Sequence, residues 1–262
     1  MRLFDIKQGD CLELIKELGD SCIDIVLTSP PYNTGRNHGS MDNHEVRYDI
    51  YLENRDLDEY SEWTVDLFNN FDRVLKENGV ILYNMSYGNE NPTQMWLTVA
   101  DIINKTNFTL ADNIIWKKKS ALPNNVSSNK LTRICEYVFV FCRKTEYKTF
   151  KCNKQVKSYS KTGQKYYENI FNFVEAKNND GSCKLNKATF STELVEKLLN
   201  IYSTSDNDVI LDPFMGTGTT AVGCVKNNKR VIGFELSEEQ TKYALDRLQS
   251  LAIDNDDFSD LD

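Results

Sequence analysis

The chain has 262 residues, 40% hydrophobic and 27% charged, enough for one elaborated globular domain with a full core. Its longest apolar runs, such as residues 137–142, are far too short to cross a bilayer, and no secretion signal follows Met1. Seven cysteines, with no CxxC and no metal-ligand spacing, read as reduced thiols packed in a core, and His38 and His44 alone leave little from which to build a metal site or triad. A cytoplasmic protein is expected, bacterial or made by a phage or virus in its host cell.

The net charge of −8 is unevenly spread. Residues 116–165 hold thirteen Lys and Arg against only Glu136 and Glu146, a net of +11 that leaves −19 for the rest. Such asymmetry reads either as a basic face for a polyanion or as a solvated lysine-rich surface. The acidic end, residues 251–262, reads as a disordered tail.

Hydrophobic periodicity alternates between strand and helix along the chain. Residues 2–6 read as a strand, 11–18 as a helical turn, and 23–28 as a buried strand. A polar loop to about 57 precedes an amphipathic helix over 58–76, which Asn78-Gly79 is expected to stop. A strand at 80–85 and a helix at 92–104 follow, then neighbouring strands at 110–116 and 137–142. Beyond the basic stretch come a helix over 191–201 with Ser191 as N-cap, a strand at 208–211, a helix to about 225, a strand at 230–234 and a helix over 237–251. This order predicts an α/β fold with a doubly wound, mostly parallel sheet, in which ligands bind at the carboxyl ends of the strands.

Two motifs fall at such ends. Asp212-Pro213-Phe214-Met215-Gly216-Thr217-Gly218 joins a strand to a helix, and its glycines let the backbone approach a ligand at a helix N-terminus. It is neither GxGxxG nor a phosphate loop, since it lacks the lysine. The next strand ends in Glu235, whose carboxylate can accept from two ribose hydroxyls or simply cap the helix beyond. The other motif is Thr28-Ser29-Pro30-Pro31-Tyr32. Two prolines stiffen the turn and carry no N–H, so an amino group placed there could donate to the Ser29 hydroxyl and the Pro30 carbonyl. Tyr32 offers a flat face for an unstacked base.

Together these motifs resemble those of the amino-group DNA methyltransferases, and their order, catalytic turn first and glycine turn near the end, resembles the circularly permuted beta class. The resemblance covers about residues 1–250. It implies a methyltransferase fold over 1–142 and 188–250, an inserted target recognition region at 143–187, and S-adenosylmethionine as cofactor. It implies that Ser29, Pro30, Pro31 and Tyr32 are catalytic. Asp10 and Cys11 would lie against the cofactor's adenine, Phe190 around its methionine end and Phe214 against the cofactor. Asp212, Gly216 and Gly218 would form the glycine turn, and Glu235 would hold the ribose. Within the basic segment Lys148, Lys151 and Lys154 are expected to contact phosphates, while Tyr147, Tyr159, Tyr166 and Tyr167 read equally as base readers or as a small core.

Double-stranded DNA is the expected partner; a homodimer and a companion restriction endonuclease are compatible with the family, and a membrane is not expected. Ser at the first motif position favours cytosine N4 over adenine N6, although Tyr32-Asn33-Thr34-Gly35 resembles the run that follows the motif in many adenine enzymes. Methylation at cytosine C5 would need a Pro-Cys nucleophile, and no proline here precedes a cysteine. RNA or protein methylation, a non-enzymatic DNA-binding module and a dehydrogenase each explain fewer of these features.

Overall fold

A computed structural model of the protein describes residues 3–33, 55–86, 93–120, 128–129, 131–181, 185–186 and 189–256. Ten strands are described: β1 (Phe4–Gln8), β2 (Ile23–Thr28), β3 (Leu75–Met85), β4 (Phe108–Lys118), β5 (Cys135–Arg143), β6 (Val156–Tyr159), β7 (Lys165–Tyr167), β8 (Phe173–Ala176), β9 (Val209–Asp212) and β10 (Arg230–Glu235). The helices are α1 (Cys11–Leu14), α2 (Leu57–Val74), α3 (Gln94–Lys105), α4 (Thr192–Tyr202), α5 (Thr219–Lys226) and α6 (Glu238–Asp256). Eight strands form one sheet in the order β1-β10-β9-β2-β3-β5-β4-β8, and β6 and β7 form a separate hairpin. In the large sheet β5 runs against its neighbours β3 and β4, and the other pairings are parallel. The expected doubly wound, mostly parallel sheet is the observed one.

Both faces of the sheet are covered, so its central strands are apolar on both sides. Along β2, Ile25 and Leu27 pack with α4, α5 and α6 through Leu194, Leu198, Ala221, Val225 and Leu248. Ile23 and Val26 face α2 and α3 through Leu67, Phe68, Phe71, Met95 and Ile102. Phe68 meets Tyr83, Phe108 and Phe141 edge-on, with centroids 5.2 to 5.7 Å apart. Such edge-to-face pairs add modestly to the burial of their apolar area.

Adjacent strands β9 and β2 send their connections in opposite directions. From β9 the chain passes through α5 to β10, whereas β2 leads through α2 to β3 on its other side. A crevice opens where neighbouring crossovers diverge in this way. Both motif turns sit at that crevice.

Several elements differ from expectation. Helix α2 ends at Val74, ahead of Asn78-Gly79; Asn78 (φ 59°) and Gly79 instead shape a turn within the extended segment β3. A Cβ at Gly79 would lie 2.9 Å from the Asp24 carbonyl, so close backbone approach fixes that position as glycine. Helix α6 continues to Asp256, through part of the stretch expected to be a disordered tail; residues 257–262 lie outside the described residues. Within the segment 143–187, β8 joins the large sheet by pairing with β4 at its edge, while β6 and β7 pair only with each other. Among the described residues no helix is long and apolar enough to cross a membrane.

Candidate active site

The two motif turns are tied together at their roots. Thr28, the last residue of β2, donates its hydroxyl to Asp212 Oδ1 at 2.6 Å, and Asp212 ends β9. Thr220, in the first turn of α5, donates to the other carboxylate oxygen at 2.5 Å, and the Phe214 amide donates to Oδ1 at 3.0 Å. Burial pushes the Asp212 carboxyl up to about 6, against the Thr220 and Thr28 hydrogen bonds that favour its charged form.

Beyond these roots lies a cavity lined by Asp10, Cys11, Ser29, Pro30, Pro31, Tyr32, Phe190, Asp212, Phe214, Gly216 and Glu235. Gly216 and Gly218 of the glycine turn have separate roles. Gly216 (φ 55°) lies on the cavity wall and donates its amide to Glu235 Oε2 at 2.8 Å. Gly218 (φ 83°) is not in that wall; a Cβ there would lie 2.8 Å from the Ala244 Cβ, so it serves the packing of α5 against α6. The second Glu235 oxygen accepts from the Ser237 amide at 2.9 Å. Glu235 therefore lines the cavity and also holds the chain that enters α6. Asp10 is the N-cap of α1, accepting from the Leu12 amide at 2.8 Å. Burial, then the charge of Asp10, pushes the Cys11 thiol up to about 12, so it presents a neutral, apolar surface.

The Ser29-Pro30-Pro31-Tyr32 turn is held from behind by two helices. Tyr60 of α2 donates its hydroxyl to the Pro31 carbonyl at 2.8 Å, and Gln94 of α3 donates to the Tyr32 carbonyl at 3.1 Å. Among the described residues nothing donates to the Pro30 carbonyl, which is left to accept from a ligand. Ser29 Oγ lies 2.8 Å from Tyr32 Oη.

Sequence reasoning missed one wall of the cavity. Trp63 of α2 packs at 5.5 Å from the Phe214 ring, and the Arg55 guanidinium sits 4.8 Å above Trp63. Asn33 and Arg55 exchange two hydrogen bonds, of 2.8 and 2.9 Å, across 22 positions of the chain. Asn186, Thr189 and Gln240 also line the cavity. Their signals were weak: Trp63 reads as one more residue of an amphipathic helix, and Arg55 as a lone loop charge.

The structure does not bring Lys148, Lys151 and Lys154 to this cavity. Lys151 binds Asp24 Oδ1 at 2.5 Å and lies 3.6 Å from Asp208. Asp24 is near the start of β2 and Asp208 just precedes β9, so Lys151 is at the amino edge of the sheet. The cavity is at the carboxyl edge, about 17 Å from Asp24 to Ser29 along the strand. Lys148 and Lys154 flank it in a stretch tied to Asn78 and Ile201 through the Lys151 and Asn153 amides. Lys151, expected to meet phosphate, has its ammonium engaged by a buried carboxylate. Folding also neutralises much of the basic excess, since Lys117, Lys118, Lys119 and Arg143 pair with Glu175, Glu136, Glu193 and Asp72. Tyr159, Tyr166 and Tyr167 are exposed on the β6–β7 hairpin, and Tyr147 is half exposed beside Phe150.

A doubly wound sheet whose crevice joins a Ser-Pro-Pro-Tyr turn to a glycine turn defines a class, and comparison with known proteins agrees. The chain belongs to the DNA methylase family, whose model matches residues 23–246. It is similar to the type II methyltransferase M.BglII of Bacillus subtilis, 24% identical over 98% of this chain and 72% of that protein. It is 30% identical to the type II beta methyltransferase M.BslI of Bacillus sp. (strain NEB-606) over 92% of this chain, but spans only 27% of that longer protein. Among solved structures the PvuII DNA methyltransferase (cytosine-N4-specific) shares the fold with a TM-score of 0.70 at 21% identity, covering 94% of this chain and 86% of that one. The M1.HpyAVI–SAM complex gives 0.58 at 21% identity, covering 93% and 98%.

Proposed function

We propose that this DNA methylase transfers a methyl group from S-adenosylmethionine to the N4 amino group of cytosine in double-stranded DNA. The observation that carries this reading is the pairing of the Ser29 hydroxyl with the open Pro30 carbonyl on the wall of the acid-lined cavity. The cavity suits the cofactor. Asp10 and Glu235 offer carboxylates to a ligand that carries a sulfonium and an ammonium, the Phe190, Phe214 and Trp63 rings offer apolar surface, and Gly216 keeps its wall free of a side chain. Bound there, S-adenosylmethionine supplies a methyl group already activated by its positive sulfur.

The protein's part is placement. A cytosine turned out of the duplex would donate one amino hydrogen to Ser29 Oγ and the other to the Pro30 carbonyl. Two acceptors so arranged hold the nitrogen lone pair out of the ring plane, where it is more nucleophilic, and fix it for in-line approach. The Tyr60 and Gln94 hydrogen bonds keep the turn rigid, so little reorganisation accompanies the reaction. A serine hydroxyl, which accepts and donates, suits cytosine N4 by its resemblance to the serine-bearing members of the family. The name of the PvuII enzyme, described as cytosine-N4-specific, supports the same reading.

Nucleoside mass spectrometry of DNA treated with enzyme and cofactor tests it. N4-methylcytosine is expected. N6-methyladenine alone would overturn the base assignment and keep the amino-group chemistry, whereas 5-methylcytosine would overturn both.

A further inference from the structure

The Ser29 hydroxyl opens onto a chain of polar groups that ends in a carboxylate. Ser29 Oγ is 2.8 Å from Tyr32 Oη, and Tyr32 Oη is 3.4 Å from Glu136 Oε2. Asn84, on β3 and only 2% exposed, donates its amide to both Tyr32 Oη (2.7 Å) and Glu136 Oε2 (3.1 Å). Glu136 lies on β5, and its other oxygen, Oε1, is held by Lys118 of β4 at 2.5 Å. The carboxylate thus has two distinct sides, one on a lysine and one on the catalytic turn. An ion pair with Lys118 explains the first side and leaves the second unexplained.

The directions of these hydrogen bonds form a sequence. Asn84 donates to the phenol oxygen, which can then accept from Ser29 and donate its own proton to Glu136. A base amino group that donates to Ser29 completes the line from the reacting nitrogen to the carboxylate.

We propose that Glu136, reached through Ser29 and Tyr32, takes up the proton that the amino nitrogen loses on methylation. This rests on the amino-group reading of the Ser29-Pro30 turn. In the reaction the nitrogen–carbon bond forms and the methyl–sulfur bond breaks with its electron pair going to sulfur. The nitrogen is left positive, with one proton in excess. That proton passes to Ser29 Oγ as the Ser29 proton passes to Tyr32 Oη and the Tyr32 proton to Glu136 Oε2. The methylated base and the sulfur are then neutral, and the carboxylic acid on Glu136 later gives its proton to water. Before transfer, the Glu136 charge also favours the positive charge growing on nitrogen. Glu136 touches no substrate, so it is a positioning residue.

The test is a double-mutant cycle of Glu136→Gln and Tyr32→Phe, read as single-turnover methyl transfer to DNA, with cofactor and DNA affinities measured beside it. Each single variant is expected to slow transfer at least about tenfold. The double variant should be no slower than the slower single one, because both cut the same line. Affinities should stay within about twofold, a split that a merely structural role of Glu136 would not produce. Losses that multiply, or a full rate in either single variant, would overturn the proposal. If Glu136→Gln does not fold, Glu136→Asp carries the same cycle, since it keeps the charge for Lys118 and draws the carboxylate back from Tyr32. A wild-type enzyme that methylates no amino group in DNA would instead count against the function reading itself.

Discussion

Thr28 and Asp212 stand 184 residues apart and share a buried hydrogen bond of 2.6 Å. One ends the strand that carries the Ser-Pro-Pro-Tyr turn, and the other begins the glycine turn. Their bond sets the two motif turns in one frame, with the cavity above it. The carboxylate that makes it is fully enclosed, and its protonation is therefore linked to folding.

Asp212 is pushed up to about 6 by burial, above the value of 3.8 usual for such a group. The folded state then holds a proton between these values that the unfolded chain releases, so this residue's contribution to stability is full below pH 3.8 and is lost as pH rises through 6. The loss is on the order of 3 kcal/mol. Urea unfolding of wild type and Asp212→Asn at several pH values checks the sign. The stability difference is expected to shift in favour of the variant as pH rises across that window, and a constant difference would speak against it.

The two glycines are expected to fail differently. Gly216→Val places a β-branched residue at φ 55°, on the cavity wall, with its Cβ 3.1 Å from Asn186 Nδ2. Cofactor affinity by calorimetry should fall more than about tenfold while the circular dichroism stays near wild type. Gly218→Ala meets the Ala244 backbone and Cβ, so its main effect should be a lower melting temperature.

Lys151→Ala should destabilise the fold rather than loosen DNA. Asp24 is 3% exposed; burial pushes its carboxyl up, but the Lys151 and Lys76 hydrogen bonds outweigh this and hold it below its usual value. Removing Lys151 leaves that charge half compensated by Lys76, a cost of roughly 2–4 kcal/mol in chemical denaturation. Asp24 contributes stability above the usual carboxylate range and loses it as pH falls through its lowered value, so the penalty should shrink in acid. A neutral Lys151→Ala that weakens DNA binding and its salt dependence would restore the phosphate-contact reading.

These contrasts show what was legible in the sequence. Strands β2 and β9 were readable because each is a short buried run ending in prolines or glycines with special backbone needs, and β10 because its apolar run ends in an acid; such strand ends are where a doubly wound sheet binds ligands. Lysine density was not informative in the same way. A lysine's place depends on where its counter-charge is, and Asp24 lies 127 positions from Lys151. Trp63, Arg55 and Gln240 were invisible for a related reason: they reach the cavity from helix faces and loop ends that carry no motif. Glu136 stood out in the sequence only as one of two acids within the basic stretch, and the cross-strand packing of β3, β5 and β4 is what brings it to Asn84 and Tyr32. Strand β8 was hidden because four residues within a lysine-rich stretch carry too little periodicity to read.

The central claim is that the amino group reacts at the Ser29-Pro30 turn. Ser29→Ala tests it most directly, because it removes one acceptor and keeps the two prolines and their support from Tyr60 and Gln94. Single-turnover methyl transfer should slow by about a hundredfold while cofactor and DNA affinities change no more than about twofold, as expected of a contact that matters mainly in the transition state. Transfer at the wild-type rate by Ser29→Ala would contradict the account.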